Sequence, residues 1–273
     1  MTTSFSVVGS PIEHSLSPVL HSAAYKHLGL DFNYEKNLIG AGELKGFLDS
    51  RSLTGVSVTM PLKQEAFALA ATHDKYSLQT GVANTLFQTG DIWSAANTDV
   101  FGIIQALAST PEPKLTALIG SGSTSRSALV ALAQIFPATE IAIVARNQQA
   151  AAELEEYASS LGFLASVQPA SSQSLLTANL VMSLVPAGSF TELWNEVSKD
   201  NTFTTGTLFD VAYNPWPSEA ALAWGSGAVI SGLEMLIWQA IEQVRIFALA
   251  AGLDVDIDRD SLYQVMKGAV SAN

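Results

Sequence analysis

Three polar side chains in the first hundred residues have the types that move a proton to or from an alcohol: Lys63, Asn84 and Asp99. A lysine beside a carboxylate is held in place, and its proton can pass to or from a substrate oxygen. An asparagine both donates and accepts at a neighbouring hydroxyl. Each also has an ordinary use: a solvated surface lysine for Lys63, turns and caps for Asn84 and Asp99. Upstream, Ser10-Pro11-Ile12-Glu13-His14-Ser15-Leu16-Ser17-Pro18 is dense in hydroxyls and turn residues. Ser15 and Ser17 either cap locally or point from a loop into a cleft, where hydroxyls suit a polyol or carboxylate. His14 and His21 come without acid/histidine metal spacing, and the chain has no cysteine, so no metal is expected.

The elements that must position these groups follow from pattern. Val56 and Val58 alternate with Ser57 and Thr59, the end of a strand. Pro61 suits the first turn of the next helix, which places Lys63 in that turn. Before it come a strand Phe5–Gly9, a helix from Pro18 to Leu28 capped by Ser17, a strand Phe32–Asn37 and a helix Glu43–Ser50. This alternation predicts a mostly parallel, doubly wound sheet, with ligands beyond the carboxyl ends of its strands. The hydroxyl loop and Thr59–Lys63 fall on that same edge. Gly81–Phe87 and Ile92–Trp93, joined by Gly90-Asp91, read as a hairpin running into Asn97-Thr98-Asp99 and a helix Val100–Thr110.

Ser109-Thr110-Pro111-Glu112-Pro113 punctuates the chain. Beyond it, strand Leu115–Ile119 leads through Gly120-Ser121-Gly122-Ser123-Thr124-Ser125-Arg126 into a helix ending near Phe136. Strand, glycine turn and helix form the dinucleotide arrangement, with pyrophosphate at the helix N-terminus. The fingerprint is incomplete, because Ser125 stands where Gly or Ala is usual, and a glycine turn that binds nothing is the alternative. Strand Glu140–Val144 ends in Ala145-Arg146-Asn147, with no acid for an adenine ribose. Arg146 there favours a 2′-phosphate, hence NADP over NAD, or is simply an exposed loop arginine. Further strands are expected at Phe163–Val167, Leu180–Leu184, Thr207–Val211 and Ala228–Ile230, with helices at Ala150–Leu161 and Thr191–Ser198. A long helix Gly232–Ala251 carries the stripe Leu233, Ile237, Ile241, Val244 and Ala248. Gln239 lies off that stripe, on the side read as surface. A last helix spans Arg259–Lys267.

With 273 residues, 48% of them hydrophobic, the chain has material for two packed domains. A net charge of −12 argues against nucleic acid or an anionic membrane as partner. Met1-Thr2-Thr3-Ser4 has no signal-peptide character and no apolar run reaches membrane length, so a cytoplasmic protein is expected.

These blocks, taken in order, resemble the shikimate/quinate dehydrogenase family. The likeness runs nearly end to end. It rests on Gly9-Ser10-Pro11 with His14-Ser15-Leu16-Ser17-Pro18 and His21, then Val58-Thr59-Met60-Pro61-Leu62-Lys63. It continues through Gly81-Val82-Ala83-Asn84-Thr85, Asn97-Thr98-Asp99 with Gly102, and Gly232-Leu233-Glu234-Met235-Leu236 with Gln239-Ala240. The resemblance implies an α/β protein of two domains with a cleft between them. Residues 1–104 and 235–273 would bind the substrate on a mostly parallel sheet, and residues 105–234 would form a Rossmann-type NADP domain. It implies reversible reduction of 3-dehydroshikimate to shikimate with NADPH, toward chorismate and the aromatic amino acids, by a monomer or homodimer. Lys63 and Asp99 match the catalytic pair. Ser15, Ser17, Thr59, Asn84, Tyr213 and Gln239 match the substrate contacts. Gly120, Ser121, Gly122, Ser123 and Thr124 match the pyrophosphate turn, Arg146 and Asn147 the 2′-phosphate region, and Val211 and Gly232 positions beside the nicotinamide.

The chain departs from the family mainly in the cofactor half. Gly120-Ser121-Gly122-Ser123-Thr124 stands for Gly-Ala-Gly-Gly-Ala, Ala145-Arg146-Asn147 for Asn-Arg-Thr, and Ser183-Leu184-Val185-Pro186-Ala187-Gly188 for Asn-Ala-Thr-Ser-x-Gly. Ser218 replaces a threonine. Threonine in place of the second loop serine goes with quinate use, so Ser17 favours shikimate. Alternatives are an enzyme that also takes quinate or NAD, a metabolite-sensing homologue without catalysis, and, on the residues alone, a methylene-folate-type dehydrogenase.

Overall fold

Strand and helix alternate almost from the start of the chain. The computed structural model describes residues 3–175, 177–199, 206–225 and 227–271. Contacts divide the chain into two units, Met1–Gly102 with Ile237–Asn273 and Ile103–Leu236. Residues 1, 2, 272 and 273, assigned from sequence to the substrate half, lie outside the described residues.

In order, the chain forms β1 (Thr3–Gly9), α1 (Ser17–Leu28), β2 (Phe32–Leu38), α2 (Leu44–Asp49), β3 (Gly55–Val58), α3 (Lys63–Leu69), β4 (Thr72–His73) and α4 (Lys75–Thr80). The hairpin β5 (Thr85–Thr89) and β6 (Ile92–Ala96) leads into α5 (Asp99–Ala106). Next come β7 (Leu115–Ile119), α6 (Ser123–Ile135), β8 (Glu140–Val144), α7 (Gln148–Ser160), β9 (Ala165–Gln168) and β10 (Leu180–Ser183). The chain closes with α8 (Thr191–Lys199), β11 (Thr207–Asp210), α9 (Glu219–Trp224), β12 (Ala228–Ser231), α10 (Gly232–Ala250) and α11 (Arg259–Ser271).

The first unit is built on a sheet of order β2-β1-β3-β5-β6-β4. Its β1–β2, β1–β3 and β4–β6 pairs are parallel, and β5 alone runs against its neighbours because a tight hairpin joins it to β6. One face of this sheet packs on Leu44, Leu62 and Ala66, which meet Val8, Val56, Val58 and Leu86. The second unit has the all-parallel order β12-β11-β10-β7-β8-β9, the doubly wound arrangement of dinucleotide-binding folds. Its inner strands β11, β10, β7 and β8 are mostly buried on both faces, so they read as largely apolar runs such as Leu115–Ile119. Ala117, Ile119, Val144, Val181, Trp194, Leu208 and Trp224 form its core. No helix among the described residues is long and apolar enough to cross a membrane.

Several boundaries differ from those read in the sequence. Ser17 is not the cap of α1 but its first residue, and Leu16 takes the cap position without a side-chain bond. Pro61 lies ahead of α3 rather than in its first turn, in a turn closed by the Leu62 N–H on the Thr59 carbonyl at 2.9 Å. The last helix runs on past Lys267 to Ser271, and α5 stops at Ala106, short of Thr110. β4, α4 and α9 were not anticipated. They are two to six residues long, too short for a hydrophobic period to register.

Candidate active site

The carboxyl ends of β1 and β3 lie side by side, because the two strands are parallel neighbours. Their following loops are laced together: Thr59 N–H donates to the Val8 carbonyl at 2.9 Å and Ser10 N–H to the Met60 carbonyl at 2.9 Å. Lys63 therefore opens α3 directly above the sheet edge. A cation at a helix N-terminus is unfavourable, so this lysine needs a local anion. Two further backbone bonds bring the start of β5 to it, Ala83 N–H on the Lys63 carbonyl at 2.9 Å and Val58 N–H on the Asn84 carbonyl at 2.7 Å.

The anion is Asp99, at the N-terminus of α5, where a carboxylate complements the helix dipole. Lys63 Nζ donates to Asp99 Oδ2 at 2.5 Å, and both side chains are largely withdrawn from solvent, 12% and 6% exposed. Asn84 Nδ2 donates to the other carboxylate oxygen, Oδ1, at 2.8 Å. The same nitrogen reaches Thr98 Oγ1 at 2.9 Å and Gln239 Oε1 at 3.2 Å. Lys63, Asn84, Asp99 and Gln239 are thus brought into one buried cluster.

Gln239 is buried, at 7% exposure, rather than on the surface where the apolar stripe placed it. α10 buries Ile237, Gln239, Ala240, Ile241, Gln243 and Val244, most of its circumference, so stripe logic fails there. Ser15 and Ser17 lie at the β1 edge, where Ser17 N–H donates to Ser15 Oγ at 3.3 Å. Ser17 is buried and Ser15 half-buried. Thr59, half-buried, follows β3 on the same edge.

Beneath the cluster sits a polar group that sequence reasoning missed: His21, Tyr34, Ser57 and Gln243. Tyr34 donates to Ser57 Oγ at 2.6 Å, and Ser57 donates to Gln243 Oε1 at 2.7 Å. His21 stacks on the Tyr34 ring, 4.0 Å between centroids. Burial drives the His21 pKa down to about 3, against the opposing hydrogen bond to Gln243. Burial pushes the Tyr34 hydroxyl well above its ordinary value, with the Ser57 and Ser17 hydroxyls opposing. One signal was available: Gln243 stands four residues after Gln239, on the same helix face.

In the second unit the glycine turn joins β7 to α6. Gly120 has φ +116°, and a Cβ there would come within 2.7 Å of Val185 and 3.2 Å of the Leu184 carbonyl, so only glycine fits. Gly122 takes the cap position of α6 and no side chain caps the helix, while a Cβ on Gly122 would meet no described atom within 4 Å. An uncapped helix N-terminus with open space before it fits a pyrophosphate. Ser125, the departure from the fingerprint, turns its hydroxyl inward onto the Gly120 carbonyl at 2.9 Å and braces the turn.

Arg146 follows β8, exposed, with its guanidinium 5.4 Å from the Phe190 ring centre and no ion-pair partner among the described residues. That disposition suits a phosphate. Asn147 is committed locally, since its side chain accepts the Ala150 N–H at 3.1 Å and caps α7. Val211 and Gly232 are close neighbours, and a Cβ on Gly232 would run into the Val211 carbonyl. Tyr213, half-buried, lies in the loop after β11. Asp210 holds that loop: it accepts the Ser218 hydroxyl and, at 3.2 Å, the Ala212 N–H. Burial raises the Asp210 carboxyl, and the Ser218 hydrogen bond opposes the rise.

A family model described as the shikimate dehydrogenase substrate binding domain matches residues 7–86. The shikimate dehydrogenase (NADP(+)) of Trichormus variabilis is 30% identical over 283 residues, 94% of each chain. Among solved structures, Mycobacterium tuberculosis shikimate dehydrogenase aligns at TM-score 0.84 and 35% identity, covering 99% of this chain and 100% of that one. Thermus thermophilus shikimate 5-dehydrogenase, solved in complex with NADP(H) and shikimate, aligns at TM-score 0.80 and 26% identity over 98% and 100% of the two chains. Likeness of this extent, over a matching fold, makes the chain a member of the shikimate dehydrogenase family, a family of oxidoreductases.

Proposed function

We propose that the protein is an NADP-dependent shikimate dehydrogenase, which reduces 3-dehydroshikimate reversibly to shikimate. The carrying observation is the Lys63–Asp99 pair at 2.5 Å, held by Asn84, whose amide also reaches Gln239, at the sheet edge that bears Ser15, Ser17 and Thr59. Bound NADPH would supply the hydride. The chain's own part is to hold the substrate and to manage one proton. An ammonium has three N–H donors, and Lys63 spends one on Asp99. The others serve the substrate oxygen, which becomes an alkoxide in reduction and takes the proton from Nζ. In the reverse direction the hydroxyl proton returns to Nζ. Asp99 keeps the ammonium in place and compensates its charge. Ser15 and Ser17 are assigned to the substrate carboxylate, and Thr59, Asn84 and Gln239 to its hydroxyls. In the second unit, the Gly120–Thr124 turn and the α6 N-terminus are assigned to the pyrophosphate and Arg146 to the 2′-phosphate.

The test is a comparison of initial rates with shikimate and with quinate, each under NADP and NAD, for the wild type and Arg146→Ala. The wild type is expected to turn over shikimate with NADP fastest. Arg146→Ala is expected to raise the Michaelis constant for NADP and leave that for NAD nearly unchanged. Equal effects on both coenzymes would remove Arg146 from the 2′-phosphate.

A further inference from the structure

The buried polar group under the Lys63–Asp99 pair has a direction. Two backbone groups set it, because neither can reverse its role. The Asn84 carbonyl can only accept, so the Gln243 side-chain atom 3.1 Å away must be its nitrogen, Nε2. The Thr98 N–H can only donate, so the Asn84 atom 2.8 Å away must be its oxygen, Oδ1.

Every bond between these anchors then has one sense. Gln243 Oε1 accepts the Ser57 hydroxyl at 2.7 Å, which leaves Ser57 to accept from Tyr34 at 2.6 Å. The neutral His21 carries its proton on Nε2, 3.3 Å from the same Oε1, and its Nδ1 accepts from the Tyr25 hydroxyl at 3.0 Å. On the other side, Gln243 Nε2 donates to Thr85 Oγ1 at 2.9 Å, so the Thr85 hydroxyl hydrogen goes to Asn84 Oδ1 at 2.8 Å. With Oδ1 so engaged, Asn84 turns its Nδ2 donors onto Asp99 Oδ1 at 2.8 Å and Gln239 Oε1 at 3.2 Å. A reversed Asn84 would set its oxygen against the Asp99 carboxylate. Among the described residues no buried side-chain nitrogen or oxygen is left without a partner, so one reversal would propagate through the whole chain.

We propose that Gln243 is a positioning residue for the reaction. Through Thr85 it supplies the second hydrogen bond to the Asn84 oxygen that the Thr98 N–H already orients, and so steadies Asn84 and, through it, the seating of Asp99 against Lys63. This rests on the reading of Lys63 and Asp99 as the proton-transferring pair. Gln243 and Thr85 have no hydrogen bond to Lys63; their effect on the Lys63–Asp99 pair passes through Asn84.

The experiment is steady-state shikimate oxidation with NADP by the full-length wild type, Gln243→Met, Thr85→Val and Thr85→Ser, with a thermal melt of each. Gln243→Met and Thr85→Val keep side-chain size and break the chain of donors at different points. Each is expected to lower kcat about ten- to a hundredfold, the scale of a small misplacement at a reacting centre, with a smaller change in the KM for shikimate. Thr85→Ser restores the hydroxyl and is expected to recover most of the loss. Wild-type kcat in a folded Thr85→Val protein would overturn the proposal, as would a Thr85→Ser loss equal to that of Thr85→Val. If Gln243→Met fails to fold, the Thr85 pair decides alone. A wild type inert toward shikimate would overturn the reading of the site itself, and this proposal with it. Normal wild-type oxidation with undiminished variants overturns only the role of Gln243.

Discussion

His21 carries a consequence for stability at the scale of single residues. It is fully buried, stacked on Tyr34 and hydrogen-bonded to Gln243, and burial holds its pKa near 3 where an exposed histidine has 6.5. Between those values the unfolded chain binds a proton that the folded chain refuses, so stability falls as pH falls from 6.5 toward 3. The slope from this one group is at most about 1.4 kcal/mol per pH unit. Urea unfolding at pH 7 and at pH 5 should show the wild type losing stability, and His21→Gln losing less over the same interval. An equal loss in both would place the acid sensitivity elsewhere. The Lys63–Asp99 pair has a different profile. Removing either partner leaves a buried charge alone, at a typical cost of about 3–5 kcal/mol. Asp99→Asn is therefore the gentler probe than Asp99→Ala, since it keeps an acceptor for Asn84 Nδ2.

Element by element, legibility in the sequence followed period and length. β1, β2, β3 and the hairpin β5–β6 stood out because β-branched and aromatic runs end at glycine or proline. The turn from β7 into α6 stood out because Gly120 and Gly122 interrupt an apolar strand and an alanine-rich helix. α4 and α9, of six residues each, carry less than two turns and left no periodic trace. The burial of Gln239 was invisible to the periodic pattern for the opposite reason. A long helix packed on most of its sides has no single apolar stripe, and its buried glutamines look like surface residues. The Lys63–Asp99 contact spans 36 residues and could not be read from spacing. It forms because parallel pairing of β1 with β3 and the β5–β6 hairpin return the chain to the same sheet edge. Gly232 shows what an element junction demands. β12 passes directly into α10 there, and an added Cβ would strike the Val211 carbonyl. Gly232→Ala should lower the melting temperature through an overpacking penalty of about 1–3 kcal/mol. A melting temperature equal to the wild type would show that the close approach relaxes without cost.

For the whole molecule, the two sheets divide the work by topology. The mixed sheet of the first unit gathers the polar cluster beyond β1, β3 and β5, and the parallel sheet of the second presents the glycine turn. A chain of charge −12 needs local donors to bind anionic ligands, and on the proposed reading these are the Ser15–Ser17 hydroxyls, Lys63, the α6 N-terminus and Arg146. The departures from the family pattern lie in the turn, the Arg146 loop and the Ser183–Gly188 loop. Ser125, the separate departure from the dinucleotide fingerprint, is accounted for as a brace on Gly120. Lys63 carries the proposed chemistry most directly, and the decisive measurement is shikimate oxidation with NADP by the wild type and Lys63→Ala, paired with shikimate binding to each. The wild type is expected to turn over. Lys63→Ala is expected to lose about 10²–10⁴-fold in kcat, the usual worth of a general acid/base, while still binding shikimate. Undiminished turnover by a folded Lys63→Ala protein would contradict the account.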